Sequence, residues 1–249
     1  TLSVGGVSGT GTITDNDAAP VFSVADASIS EGGLMRFTVT RTGDAQAAQS
    51  VNFATSIAGG NSASSGDFSA SSGSLSFAQG ETSKTFTVQT THDTLFEGNE
   101  TFTVTLSGAT AGATVSATQG AATGTIVDND GTPTITHVGD GSINNVTVAE
   151  GTAALFTVNL SNASSTATAF ALTLANGSAT APGDYTHALS DASFSNGVTI
   201  SGGTITVPAG VTSFTVTVPS VNDTLYETSE DFTLSVGGVS GTGTITDND

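Results

Sequence analysis

Acidic residues recur along this chain in sets whose neighbours repeat. Ser30-Glu31-Gly32 returns as Ala149-Glu150-Gly151 with only its first residue changed, and Gly66-Asp67-Phe68 returns as Gly183-Asp184-Tyr185. Asp93, Glu97 and Glu100 return as Asp223, Glu227 and Glu230, and Asp128-Asn129-Asp130 as Asp247-Asn248-Asp249. The last triplet also stands near the start, as Asp15-Asn16-Asp17; together these positions take sixteen of the 22 Asp and Glu residues. Converging carboxylates can act as general acid and base, as in glycoside hydrolysis, or can supply oxygen ligands to a hard cation. Left alone they repel, by roughly 3 kcal/mol for a pair about 5 Å apart at an effective dielectric near 20. A divalent cation removes that penalty. Ca²⁺ accepts about six to eight oxygens in an irregular cage drawn from separate loops, whereas Mg²⁺ asks for stricter octahedral geometry, so several converging carboxylates point to calcium first. A single Ser-Glu-Gly would read as a turn. Recurrence in every copy argues for cation sites, and for structure over catalysis.

The elements that must position these acids are visible as repeats. Gly-Thr-Ile-x-Asp-Asn-Asp occurs at Gly11 to Asp17, Gly124 to Asp130 and Gly243 to Asp249, and Thr1 to Asp17 is the same text as Thr233 to Asp249. This divides the chain into residues 1–17, the terminal strand and linker of a preceding repeat, and two modules, 18–130 and 131–249. Each is near the usual size of a domain with its own core.

Helical periodicity is nearly absent, while Phe, Val and Thr alternate at period two, which marks strands with one buried face. Seven strands are expected in the first module, near 21–24, 35–41, 50–55, 74–77, 84–90, 101–106 and 124–127. The inward set is Met35, Phe37, Val39, Phe86, Val88, Phe102, Val104 and Leu106. The second module gives Phe156, Val158, Leu160, Phe214, Val216, Val218, Phe232, Leu234 and Val236, with extra residues at 139–145 and an inserted hairpin near 186–207 around Ser201-Gly202-Gly203. The fold class is all-β: tandem seven-stranded antiparallel immunoglobulin-like sandwiches. Successive strands run up and down, so the first, third and fifth connections and the segment after the last strand leave from one end. That end carries every repeated acid. Asp44 and Glu81 are the clearest acids of the opposite end.

Composition narrows the function. Three Lys plus Arg against 22 acids give a formal charge of -19, which repels phosphate backbones and anionic membranes. Nucleic acid is excluded as a partner, and no apolar run is long enough to insert in a membrane. There is no cysteine for a disulfide or thiolate site. His92, His137 and His187 occupy unrelated positions, no Gly-x-Ser-x-Gly elbow occurs, and the expectation is that the chain is not an enzyme. The nonapeptide of calcium-binding parallel β-rolls is absent as well.

Val-Ala-Glu-Gly, Gly-Asp-Tyr, Asn-Asp-Thr-Leu-Tyr-Glu and Thr-Ile-Thr-Asp-Asn-Asp in the second module resemble Calx-beta domains, and the first module reads the same way. The family occurs in sodium-calcium exchangers, in integrin beta-4 and in large bacterial surface proteins. The resemblance implies calcium at the acidic end. It also shows departures: His92 and Asn222 stand where calcium-sensing members have an acid, as do Asn129 and Asn248, so about one to three ions per end are expected. The resulting expectation is a calcium-binding structural segment of a bacterial cell-surface or secreted adhesin or filament. Its partners would be neighbouring repeats of the same chain, with cell-surface, glycan or self-association partners beyond them. The alternative is a glycan- or protein-binding module acting through an outer sheet or the inserted hairpin; the absence of Trp and the presence of only two Tyr count against a sugar platform.

Overall fold

The structure is a computed structural model that describes residues 2–14, 16–186 and 188–249. Its strands are β1 (Leu2–Val4), β2 (Val7–Gly9), β3 (Val21–Val24), β4 (Ala27–Ser30), β5 (Leu34–Thr42), β6 (Gln49–Ser56), β7 (Ser72–Phe77), β8 (Ser83–Gln89), β9 (Leu95–Phe96), β10 (Glu100–Ser107), β11 (Thr114–Val115) and β12 (Ala121–Val127). They continue as β13 (Ile135–Gly139), β14 (Asn145–Ala149), β15 (Ala154–Leu160), β16 (Ala163–Ser164), β17 (Thr168–Asn176), β18 (Ser193–Phe194), β19 (Thr199–Ser201), β20 (Thr204–Val207), β21 (Ser213–Val218), β22 (Glu230–Val236) and β23 (Val239–Thr246). Among the described residues no helix is long and apolar enough to cross a membrane.

The chain forms two compact units, Thr1–His92 with Asn99–Val127, and Asp93–Gly98 with Asp128–Asp249. In the first, sheet β4-β12-β10-β6-β7 faces sheet β11-β3-β5-β8. Every residue expected to point inward there is buried, because period-two side chains share one face of a strand. Phe37 of β5 meets Phe102 of β10 edge-on at 5.9 Å, and Phe53 of β6 stacks on Phe86 of β8 at 3.8 Å, so rings from opposing sheets interdigitate. The second unit repeats the plan with β14-β23-β22-β17-β20-β19 against β13-β15-β21-β18. Phe156 and Phe232 make its edge-on pair, also at 5.9 Å. Asp93–Gly98 groups with this unit through a short parallel ladder of β9 with β16 and through hydrogen bonds from Glu97 and Gly98 to Asp128.

Two features refine the expected antiparallel sandwich. The first strand is split: β3 pairs antiparallel with β5, and after Ala25 and Asp26 the chain crosses to the other sheet, where β4 pairs parallel with β12. β13 and β14 repeat this, with β14 parallel to β23. The crossing keeps the direction of the chain, so the shared end survives. The expected inserted hairpin is also different in kind. β20 pairs with β17 as β7 does with β6, so it is the fourth strand of the sandwich, and β19 is an added edge beyond it.

The glycine of the Gly-Thr-Ile motif has a packing reason. A Cβ at Gly124 would lie 2.5 Å from the Phe102 ring, and one at Gly243 would lie 2.3 Å from that of Phe232. Only the bare backbone fits against these rings.

Candidate metal centre

At the acidic end of the second unit four connections are laced together by backbone hydrogen bonds. Glu150 N donates to Thr246 O (3.0 Å), Gly151 N to Val221 O (3.2 Å) and Val221 N to Asp184 O (2.9 Å). The first unit has the same lacing: Glu31 N to Val127 O (3.0 Å), Gly32 N to Thr91 O (2.9 Å) and Thr91 N to Asp67 O (2.7 Å).

Side-chain packing then aims the acids. Tyr185, the residue after Asp184, is fully buried and stacks on Phe232, two residues after Glu230, with ring centroids 4.5 Å apart. The Tyr185 hydroxyl donates to Asn176 Oδ1 at 2.6 Å, which satisfies its one polar atom. The stacked pair fixes both backbones, so that Asp184, Glu227 and Glu230 each offer an oxygen within 4.8 Å of the others. Glu150, Asp247 and Asp249 form a second such trio. A small cavity is lined by Glu150, Asp184, Asp223, Glu227, Glu230 and Asp247, and so joins members of both trios. Asp223 has the nearby role of closing its own turn, its Oδ1 accepting from Leu225 N at 2.7 Å.

Burial and neighbouring charges raise three carboxyls of this cluster. Glu230 is pushed up to about 7 by burial, by its hydrogen bond with Asp184 and by the charges of Asp184 and Glu227. Glu227 is raised by burial and by Asp184, Asp223 and Asp247. Glu150 is raised by burial and by Asp249, Asp223 and Asp247. Its side chain is one of the few charged groups in the interior, 7% exposed, and its Oε1 is buried without a hydrogen-bond partner, as is Asp130 Oδ2. A buried carboxylate oxygen with no donor is a costly arrangement. A cation coordinated there would satisfy it, and an all-carboxylate donor set fits a hard one.

The corresponding residues of the first module are divided between the two compact units: Glu31, Asp67 and Glu100 fall in one, Asp93, Glu97, Asp128 and Asp130 in the other. Within the first, Asp67 accepts from Ser64 N and from Ser64 Oγ, as Asp184 accepts from Thr180. Glu31 Oε1 lies 3.2 Å from His92 Nδ1, a contact the sequence does not indicate. Within the second, Asp93 Oδ1 accepts from Leu95 N at 2.8 Å, the counterpart of Asp223. Burial would raise Asp128, but backbone N–H donors from Asp130, Gly98 and Glu97 outweigh it and hold the carboxyl below its usual value. Asp17 is exposed, and Asp15 lies outside the described residues, as does His187.

Sequence reasoning does not single out Asn248 as a structural group. Its Nδ2 donates to Glu150 O (3.1 Å) and to Asn222 Oδ1 (3.0 Å), tying the segment after β23 to two other connections. Asn129 is exposed.

Two immunoglobulin-like sandwiches in tandem, each with carboxylates gathered where alternate connections meet, define the class of molecule. The chain belongs to the Calx-beta domain family, which matches residues 15–130 and 142–244, and thus carries two domains of a calcium-binding family in tandem. Among solved structures, the apo form of the Calx CBD1 domain is 25% identical and covers 45% of this chain and 100% of that one, with a TM-score of 0.41. CBD12 from CALX1.2 is 21% identical over 88% of this chain and 79% of its own, TM-score 0.41. The calcium binding domain CBD12 of CALX1.1 is 19% identical over 88% and 80%, TM-score 0.41. No curated protein matches the chain.

Proposed function

We propose that this chain is a non-enzymatic, calcium-binding structural segment of a large bacterial cell-surface or secreted adhesin or filament, in which Ca²⁺ at the end of each module stiffens the array. In the second module Asp184, Glu227 and Glu230 hold one ion, and Glu150, Asp247 and Asp249 hold another, with Asp223 beside them. The first module carries the counterparts of these acids in its sequence, at Glu31, Asp67, Asp93, Glu97, Glu100, Asp128 and Asp130. Asp15 and Asp17 serve the repeat that residues 1–17 belong to. The observation that carries the reading is the buried, partnerless Oε1 of Glu150 within a set of mutually repelling acids.

The position of Asp-Asn-Asp supports a role in stiffening. Asp130 ends one module and Ile135 opens the first strand of the next, so an ion held by Asp128 and Asp130 restrains the short link between them. Without the ion, carboxylate repulsion favours a looser chain.

Melting in saturating calcium and again in chelator tests this. At about a thousandfold excess over Kd a ligand adds roughly 4 kcal/mol to folded-state stability, which for modules of this size raises the melting temperature by about 10 °C or more. X-ray scattering should change with chelation. A melting temperature and scattering profile indifferent to calcium would overturn the proposal.

A further inference from the structure

Asn-Gly occurs at two places in the chain, Asn176-Gly177 and Asn196-Gly197. The two side-chain amides are held in opposite senses. Asn176 ends β17, and its Oδ1 accepts from the Tyr185 hydroxyl at 2.6 Å and from Ala181 N at 3.2 Å. A backbone N–H can only donate, so it is the oxygen that faces Ala181. At Asn196 the nitrogen is held instead, Nδ2 donating to Ser213 O at 2.6 Å. Asn176 and Gly177 are both exposed, and among the described residues neither Asn176 Nδ2 nor Gly177 N has a hydrogen-bond partner. Packing accounts for the glycine, since a Cβ at Gly177 would lie 2.4 Å from Asp231 O. The two donors on Asn176 Oδ1 have a chemical consequence beyond packing.

We propose that Asn176-Gly177 is a self-modification site, where the backbone nitrogen of Gly177 closes on Asn176 Cγ and expels the side-chain nitrogen. Gly177 N gives its proton to solvent and bonds to Cγ; the Cγ–Nδ2 bond breaks, Nδ2 takes up a proton and leaves as ammonia, and a succinimide ring remains. Water then opens the ring. Addition at Cγ leaves an aspartyl residue, and addition at the backbone carbonyl leaves an isoaspartyl linkage. As Gly177 N adds, negative charge gathers on Oδ1, where the Tyr185 hydroxyl and Ala181 N already point; donors aimed at a developing oxyanion lower the barrier to its formation. Glycine at the attacking position brings no Cβ into the approach. Asn196 lacks this help: its leaving nitrogen is tied to Ser213 O, and its Oδ1 accepts no hydrogen bond among the described residues. The aspartyl product adds a negative charge beside Tyr185, and the isoaspartyl product also adds a methylene to the backbone between β17 and Tyr185. The chain thus carries a record of its time in water. No ion takes part, so this site stands or falls separately from the calcium sites.

Peptide mapping by mass spectrometry reads both dipeptides in one sample. The full chain is incubated, folded and in denaturant, in mildly alkaline water enriched in heavy oxygen. In the folded chain Asn176 should convert about tenfold faster than Asn196, with one labelled oxygen and a mixture of aspartyl and isoaspartyl product. In denaturant, where both are plain Asn-Gly, the two rates should agree within about twofold. Tyr185→Phe removes one donor and copies Phe68, which follows Asp67 in the first module as Tyr185 follows Asp184. It should slow Asn176 by about threefold or more and leave Asn196 unchanged, because Ala181 N still donates. Folding of this variant is checked by melting; if Phe is not tolerated, the ratio of the two sites in folded and denatured parent decides. Asn176 converting no faster than Asn196 in the folded chain, or as fast in a folded Tyr185→Phe as in the parent, would overturn the proposal.

Discussion

Acids away from the clustered end are answered by the chain, whereas Glu150, Glu227 and Glu230 at that end face other acids. Glu81 Oε2 accepts from Ala78 N at 2.7 Å and lies 3.0 Å from Lys84 Nζ. The backbone N–H of Ala78, then Lys84, hold its carboxyl below the usual value. Asp140 is lowered in the same way by the N–H groups of Ile143 and Ser142 and the Ser142 hydroxyl. Glu150, Glu227 and Glu230 go the other way, raised by burial and by one another's neighbours. Asp128 stands between: half-buried, yet lowered by three N–H donors. The fold plainly can supply donors to a carboxylate. That it withholds them from Glu150, Glu227 and Glu230 is the contrast on which the proposed calcium site rests.

The largest effect should come from removing one member of the clustered set. Glu230→Gln takes away a carboxylate and the charge it shares with Asp184 and Glu227, and Gln fits the same space. Calcium affinity of the second module, followed by calorimetry, should fall by about tenfold or more, while the calcium-free protein melts no lower than the parent. A variant that loses stability in chelator but keeps its calcium affinity would mean that Glu230 is satisfied by the protein, and the contrast would collapse.

The pH dependence should be next in size. Glu230 holds its proton to about 7 in the folded state, against an ordinary unfolded value, so between these pH values the folded protein binds more protons than the unfolded one. Stability without calcium must then fall as pH rises from about 4.5 through about 7. The ion competes with that proton, so the stabilisation added by calcium should grow over the same window. Asp128 acts in a lower window and with the opposite sign, since its lowered carboxyl contributes stability that is lost as pH falls through its folded value. Melting series with and without chelator, repeated on Glu230→Gln, check this; a chelated protein that gains stability between pH 5 and about 7 would contradict it.

Much of this architecture is legible in the amino-acid sequence. Alternation at period two names the inward faces, and strand parity alone says which connections share an end. The split first strand is not legible. Ala27–Ser30 is Ala-Ser-Ile-Ser, with too little apolar character to register as a strand, and it owes its place to the ladder with β12. β20 reads as an insertion because a turn signal at Gly202-Gly203 says that two strands pair without saying which belongs to the sandwich. The division of the second module's acids into two trios depends on the Tyr185 and Phe232 rings meeting across the core. Asn248 has the look of an ordinary turn residue, since nothing local says that its amide reaches Glu150 O.

The smallest expected effect completes the contrast. In Glu81→Gln the side-chain carbonyl can still accept from Ala78 N, while the ion pair with a half-exposed Lys84 is lost. Such surface pairs contribute little, so the melting temperature should drop by about 2 °C or less. Arg41, which donates to Glu81 O and not to its carboxylate, keeps its place. The decisive reading is the response to calcium, which should match that of the parent within error in both melting and calorimetry. Removing one negative charge from either place changes the net charge equally. If Glu81→Gln weakened the response as Glu230→Gln does, calcium would be acting on overall charge, and the gathered acids would hold no ion of their own.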